Sequence, residues 1–177
     1  MAPKLVSESP LNGTPKPMVQ LIAVINAGVG YMPQYNPAHK EYLSTLKEHI
    51  STALLAKAVR TRTLDDFPIK VVELSPASPA PSELDLAITA DQPTHVIRMT
   101  VVRAEIYNGV VPLRVTWQVE VFQAKTASEK SIQDFSSISR FSFEGPGCNS
   151  GMSHDQCATK LASALIESLQ RKGFLRS

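Results

Sequence analysis

The residues best suited to chemistry lie in one segment, Cys148-Asn-Ser-Gly-Met-Ser-His-Asp-Gln-Cys157. The two cysteines are the only ones in the chain, and they flank a glycine-containing turn that leads into a predicted helix. Such a turn lets the two thiols approach each other, and a bridge across it would stabilise the fold by about 2.5–3 kcal/mol. The pattern therefore favours a disulfide between Cys148 and Cys157.

Other chemistry remains open for the same segment. The two cysteines can be inert free thiols. They can form a metal site with His154 and Asp155, since His-x-x-Cys on a helix places two ligands on one face; no second Cys-x-x-Cys or His-x-x-x-His completes the set. A cysteine at the start of the helix can also be a nucleophile activated by His154. The favoured disulfide indicates an oxidising compartment.

The remaining histidines and the paired carboxylates give weaker patterns. His39, His49 and His95 are scattered along the chain, and we expect solvated side chains at all three. Asp65 and Asp66 are adjacent in sequence, whereas a glycosidase pair must face each other across a cleft. We expect a solvated turn there.

A loop after the first predicted strand contains Gly28-Val-Gly30 and then Tyr31, Met32 and Tyr35. The glycines lack the third glycine and the Gly-Lys-Ser/Thr ending of a phosphate-binding loop. The three large side chains are either the edge of the core or a surface that contacts a partner protein. The sequence thus predicts no catalytic, cofactor-binding or metal-binding residues, and no cofactor.

Composition narrows the class of protein further. The chain has 177 residues, 43% of them hydrophobic, which suits one domain with a real core. Its longest apolar run, Leu21–Ile25, is far shorter than the ~20 residues of a membrane helix. A net charge of +2, from 18 basic and 16 acidic residues, gives no basic footprint for nucleic acid.

The elements that must position these residues follow from periodicity. Residues 18–25 are apolar on both phases, which predicts a strand covered on both faces. Asn36-Pro37 starts a helix over residues 37–60. A strand at 69–74 follows, then a proline-rich connection at 76–81 and a short helix that begins near Ser82 and is closed by Pro93.

The second half of the chain predicts an antiparallel meander. Residues 95–123 form a hairpin around Asn108-Gly109, and Trp117 lies on its apolar face. Matching the two faces favours a three-residue loop that sets Met99 opposite Trp117. A third strand covers 135–143, and a closing helix covers 154–172 with Gly173 as its cap.

The fold class that results is α+β, a single domain of residues 18–177 with a mixed sheet packed by the two long helices. Residues 1–17 contain four prolines and predict a flexible tether outside the fold. The element order over residues 18–175 resembles the amino-terminal domain of TolB and related modules of bacterial periplasmic lipoproteins and envelope-transport auxiliary components. The hairpin 101–122 and the ending Leu161 to Leu175 carry much of that resemblance.

The resemblance implies a non-enzymatic accessory or assembly protein of the bacterial cell envelope that binds other envelope proteins. It implies a periplasmic location, as a mature form without its signal; a cytoplasmic protein is the alternative. Membrane attachment would require a lipidated leader that has been removed. A carrier of a small apolar ligand or lipid is the rival function, and a small enzyme is the third. The oligomeric state is not predicted.

Overall fold

The computed structural model of this chain describes residues 3–26, 37–65, 83–107, 111–126, 128–146 and 154–176. Six strands in this part of the chain form one mixed sheet: β1 (Lys4–Glu8), β2 (Gln20–Asn26), β3 (Arg60–Asp65), β4 (His95–Tyr107), β5 (Val111–Ala124) and β6 (Phe135–Pro146). Three α-helices accompany them: α1 (Pro37–Leu55), α2 (Glu83–Asp91) and α3 (His154–Arg171). The predicted single α+β domain is confirmed.

The sheet has the order β1-β6-β5-β4-β2-β3. Strands β4, β5 and β6 form the predicted antiparallel meander, and β1 pairs antiparallel with β6. Strand β2 runs parallel to both of its neighbours, β3 and β4. Parallel neighbours need long connections, and α1 and α2 lie in the two connections of this half of the sheet.

Helices cover the two faces of the sheet unequally. The main core lies between one face and the helices α1 and α3, and Trp117, Phe141 and Phe174 are buried in it. The smaller core lies on the other face, where α2 packs against Ile22 and Val96 at one end of the strands. The face against α1 and α3 is called the covered face below, and the opposite one the open face.

The last helix matches its sequence pattern closely. Its predicted stripe is buried, with exposed fractions of 7% or less at Cys157, Leu161, Leu165 and Leu169. Gly173 has φ 93°, and two hydrogen bonds close the helix there, from Gly173 N–H to Gln170 O and from Phe174 N–H to Leu169 O. This pair of bonds is a Schellman ending, as predicted from the glycine.

The first helix is shorter than the predicted span of 37–60. It ends at Leu55, where Ala58 N–H donates to Leu55 O and Val59 N–H donates to Leu54 O. This is also a Schellman ending, but the left-handed residue is Ala58, with φ 62°. Val59 is buried and Arg60 already belongs to β3, so the predicted helix overran its end by one turn.

The register of the hairpin differs from the prediction. Met99 pairs with Val119 and Val101 with Trp117, which is a shift of two residues from the predicted register. A shift of two keeps every side chain on its face, so Trp117 is buried as expected, with 4% of its surface exposed. Irregularities beside Val101 and Glu105 break the ladder, and alternation alone does not reveal them.

The predicted tether is wrong for the residues of β1. Lys4–Glu8 form an edge strand against residues 141–144 of β6, and Leu5 packs against the main core. The polar character of the segment fits an edge position, where most of its side chains are exposed.

Strand β3 is a second difference, because the predicted helix extends to residue 60, Asp65 is predicted in a turn, and no strand is predicted between that helix and residue 69. Arg60, Arg62 and Leu64 share one face of β3, where Leu64 is buried in the smaller core and Arg62 is exposed and pairs with Asp91. The strand predicted at 69–74 and the proline-rich connection at 76–81 lie outside the described residues. The short helix predicted near Ser82 is present as α2, and Pro93 follows it.

Candidate functional site

The predicted chemical segment is only partly described. Cys157 lies in the first turns of α3 and is 7% exposed, in contact with the main core. Cys148 lies outside the described residues, so the disulfide stays a prediction. The predicted partner surface of Tyr31, Met32 and Tyr35 also lies outside them. Among the described residues, no three potential metal-ligating side chains come together.

Near that segment, a histidine connects the two long helices. His49 Nε2 on α1 lies 2.7 Å from Asp155 Oδ1 and 3.4 Å from Thr159 Oγ1, both on α3. Because the acid and the hydroxyl contact the same ring nitrogen, this is not a catalytic triad, which uses both nitrogens of the imidazole. His49 therefore packs α1 against α3 at the surface, and the prediction of a fully solvated side chain is incomplete for it.

For His95 the prediction of a solvated side chain is wrong. His95 is fully buried at the start of β4, and its ring packs edge-on against Phe174. Its Nε2 lies 3.1 Å from Gln123 Oε1, and its Nδ1 lies 2.9 Å from Thr94 Oγ1. Burial lowers the pKa of His95 to about 4, although hydrogen bonds to Gln123 and to the backbone of Lys16 favour the charged ring. The imidazole is therefore neutral near pH 7.

The orientation of Gln123 determines which nitrogen of the His95 ring carries the proton. Its Oε1 accepts from Lys16 N–H at 2.8 Å, and its Nε2 donates to Thr14 O at 3.1 Å. Since Oε1 can only accept, Nε2 of His95 carries the proton in the neutral form. Nδ1 then accepts from the hydroxyl of Thr94, which also lies 3.0 Å from Gln20 O and so has one proton for two acceptors.

These polar groups hold a segment that crosses the ends of the strands, residues 9–19, which we call the strap. It follows β6 first, where Ser9 N–H donates to Arg140 O and Asn12 N–H donates to Ile138 O. It then passes Gln123 at the end of β5 and reaches Thr94, which accepts from Val19 N–H. The strap thus joins the β1 edge to the start of β2.

A pocket of about 300 Å³ lies where the strap crosses the strand ends. Its lining consists of Lys16, Pro17, Gln92, Pro93, Thr94, His95, Gln123, Ala124, Lys125 and Thr126. Sequence reasoning missed this place because its residues come from three separate stretches of the chain. The lining is apolar over most of its surface and adds amides, hydroxyls and two ammonium groups, which are the groups that could hold a polar or charged part of a ligand.

The edge of the sheet beside β1 is held by charge. Glu8 on β1 forms ion pairs with Lys172 and, at 3.6 Å, with Arg171 at the end of α3. The hydrogen bond from Lys172 lowers the pKa of Glu8, and the Lys172 ammonium also lies 4.9 Å from the ring centre of Phe141. Val6 on the same strand is 51% exposed. Along the outer side of β1, no described strand pairs with it.

The open face carries rows of charge across the meander. Arg98, Glu120 and Arg140 lie side by side on β4, β5 and β6. Glu120 accepts from Arg140 at 3.0 Å and from Ser137 Oγ at 2.6 Å, and Arg98 lies 5.4 Å from the ring centre of Phe122. These charged side chains have their partners on the open face itself, so this face is polar and exposed to solvent.

None of the described helices combines the length and the apolar character needed to cross a membrane.

Comparison with known proteins finds similar solved structures at low sequence identity. No protein-family model matches the chain, and no curated protein sequence matches it. A PelC dodecamer from Paraburkholderia phytofirmans is similar at 13% identity and a TM-score of 0.49, over 99% of each chain. A PelC point variant from the same organism gives 14% and 0.48, over 95% of this chain and 98% of that one. The lipoprotein GNA1162 from Neisseria meningitidis gives 14% and 0.36, over 86% and 99%.

Proposed function

We propose that this chain is a non-enzymatic accessory protein of the bacterial cell envelope that binds other envelope proteins through the edge formed by β1. The observation that carries the proposal is the outer side of β1, which has no paired strand among the described residues and presents Val6 half exposed. The resemblance to the TolB amino-terminal module and the periplasmic location are parts of this proposal, as is the Cys148–Cys157 disulfide.

An unpaired edge offers main-chain donors and acceptors to a partner strand. Edge strands normally carry features that prevent indiscriminate pairing, and β1 has them: it is short, it has an irregularity between Leu5 and Ser7, and charges stand near both ends. Unlimited aggregation is thereby disfavoured. A partner must match five residues, with an apolar contact for Val6 and a counter-charge for Lys4.

The ion pair of Glu8 with Lys172 supports the same proposal, because it fixes β1 on the domain. A fixed strand presents its outer edge already extended, so a partner does not bear the entropy of ordering it. The loop with Tyr31, Met32 and Tyr35 stays a second predicted contact surface, to be tested in the same way.

Site-directed photocrosslinking in the native bacterium tests the proposal. A photoreactive phenylalanine derivative replaces Val6 in one variant and Leu55 in the control, since Leu55 is 65% exposed at the end of α1, away from β1. We expect a discrete adduct with one envelope protein, identified by its peptides, from position 6 and not from position 55. Adducts with this chain alone would show a second copy as the partner and overturn the assignment to other envelope proteins.

A substitution checks that the strand edge is responsible. Val6→Lys places a charge on an exposed edge and should leave the stability within about 0.5 kcal/mol, while the adduct formed from a photoreactive group at Ser7 disappears. Leu55→Lys is the matched control and should leave that adduct intact. Absence of any adduct at positions 6 and 7, or equal adducts at 6 and 55, would contradict binding at the β1 edge.

A further inference from the structure

The charged side chains that line the pocket beneath the strap are all basic. Lys16 and Lys125 contribute two ammonium groups, and no aspartate or glutamate is among its lining residues. Among the described ion pairs, neither lysine has a carboxylate partner. The carboxylate beside the rim, Glu129, accepts from the backbone N–H and the hydroxyl of Thr126 at 3.0 Å each. The charged side chains that line the pocket itself are therefore both cationic.

The wall of the pocket contains a buried group that titrates. His95 and Gln123 are both more than nine-tenths buried, and both line the opening. Buried titratable groups at a cavity are frequent at functional sites, because burial shifts their pKa and a ligand can shift it back. The ring of His95 faces Gln123 of β5, Thr94 just before β4, Phe174 after α3 and Lys16 of the strap.

The hydrogen bonds around His95 already suit its charged form. An imidazolium would donate from Nδ1 to Thr94 Oγ1, which releases the hydroxyl proton for Gln20 O. Nε2 would continue to donate to Gln123 Oε1. Every polar partner would then be satisfied, and the missing contribution is a negative charge to offset burial and the nearby Lys16 ammonium.

We propose that this pocket binds a small anion, a carboxylate or phosphate group, held between the ammonium groups of Lys16 and Lys125 and next to His95. A volume of about 300 Å³ admits such a group with a short substituent. Lys16 belongs to the strap, and its N–H is bonded to Gln123, so the anion also fastens the strap to the ends of the strands. The site is separate from the β1 edge, and its failure would leave the proposed function untouched.

Titration with inorganic phosphate, followed by NMR of the imidazole signals, tests the site on the full chain. Charge-assisted hydrogen bonds to two ammonium groups give an expected Kd of about 1 mM or tighter. We expect a saturable shift of the His95 signals and a rise of the pKa of His95 with phosphate bound. Sodium chloride at equal ionic strength is the control, and it should move neither.

Two substitutions locate the charge. Lys16→Met and Lys125→Met should each weaken phosphate binding about tenfold or more, as expected for losing one charged hydrogen bond. Lys57→Met, at an exposed lysine after α1, is the matched control and should bind as the unchanged chain does. Equal binding in all three variants, or no shift of the His95 signals with phosphate, would overturn the proposal.

A second pair of probes separates the sources of the anion. Acetate tests a carboxylate in solution, and vesicles of phosphatidylglycerol test a lipid phosphate, with phosphatidylcholine vesicles as the control. Sedimentation with the anionic vesicles that is lost in Lys125→Met assigns the site to a headgroup. Saturable binding of free phosphate or acetate without sedimentation assigns it to a soluble anion. Vesicle binding that Lys16→Met and Lys125→Met leave unchanged would contradict the headgroup assignment.

Discussion

The covered face and the open face of the same sheet are built from alternate residues of the same strands, yet they differ in how they are completed. On the covered face, β5 places Val115, Trp117, Val119 and Val121 under α1 and α3. On the open face, the residues between them are half exposed, and Glu120 pairs with Arg140 instead of meeting a helix. The larger of the two cores, and with it more of the hydrophobic stabilisation, is therefore on the covered face.

The largest expected effect contrasts two adjacent residues of β5. Trp117→Ala removes a large side chain from the covered face and should lower the free energy of unfolding by about 3–5 kcal/mol through the cavity it leaves. Gln118→Ala on the open face should change it by about 0.5 kcal/mol or less. Urea unfolding of both variants measures the difference. Similar losses at the two positions would abolish the contrast between the faces.

Lowering the pH should destabilise the fold, because the covered face buries His95 in its neutral form. The folded pKa of His95 is about 4 and its unfolded value is near 6.5, so the unfolded chain binds a proton first as the pH falls. Above pH 7 the titration of His95 has no effect on the free energy of unfolding. Between about pH 6.5 and 4 it lowers this free energy progressively, and below that range the loss is about 3 kcal/mol. Urea unfolding at several pH values should show this loss in the unchanged chain.

A variant makes that acid test specific to one histidine. His95→Gln should flatten the pH dependence between 6.5 and 4, because the amide donates to Gln123 without titrating. His49→Gln is the control, because it replaces a histidine at the surface contact between α1 and α3 and leaves His95 in place. If the slope survives in His95→Gln, another group causes it.

The predicted disulfide would add to the stability of the covered face, because Cys157 lies on the buried stripe of α3, one of the two helices on that face. Thiol titration of the denatured, non-reduced chain should find no free thiol and no intermolecular dimer. Reduction should lower the free energy of unfolding by about 2.5–3 kcal/mol, as expected for closing a short loop. Two free thiols in protein prepared under oxidising conditions would remove the disulfide and the main sequence argument for a periplasmic location.

The smallest expected effect compares the ends of the two covering helices. Both are Schellman endings, with Ala58 in one and Gly173 in the other at positive φ. Ala58→Gly relieves the strain of a left-handed alanine and should stabilise the fold by about 0.5–1 kcal/mol. Gly173→Ala should destabilise it by a comparable amount, because φ 93° is strained for any residue with a side chain. Thermal unfolding measures both, and the same sign for both would contradict the strain argument.

The sequence was informative where local pattern and tertiary structure agree. The alternation in β5, the stripe of α3 and Gly173 each predicted what the structure contains, because each side chain reports its own environment. Strand β1 was missed because Lys-Leu-Val-Ser-Glu gains its structure only from β6, more than 130 positions away. Strand β3 was missed because Arg-Thr-Arg-Thr is polar on both phases and owes its form to β2.

The pocket could not be found from local patterns at all. His95 was expected to be solvated because nothing beside it in sequence is an obvious partner for the ring apart from Thr94. Two of the residues that contact the ring are distant in sequence. Gln123 lies 28 positions after His95, and Phe174 comes later still, after the end of α3. Only in the folded chain does the strap lie next to His95 and Gln123, and the two lysines of the pocket come together through that placement.

The strap also has a consequence for the order in which the chain matures. Asn12 bonds to residues 137 and 138, 125 positions or more further along, so these partners leave the ribosome long after Asn12 does. Contacts of such separation form slowly because of the loop-closure entropy, and a domain generally folds as one unit. Within the described residues, the backbone partners of Lys4–Glu8, Ser9 and Asn12 lie in β6, so these bonds cannot form until β6 is synthesised. Residues 4–13 are thus translated well before β6 but dock only after it, and the meander must assemble without them.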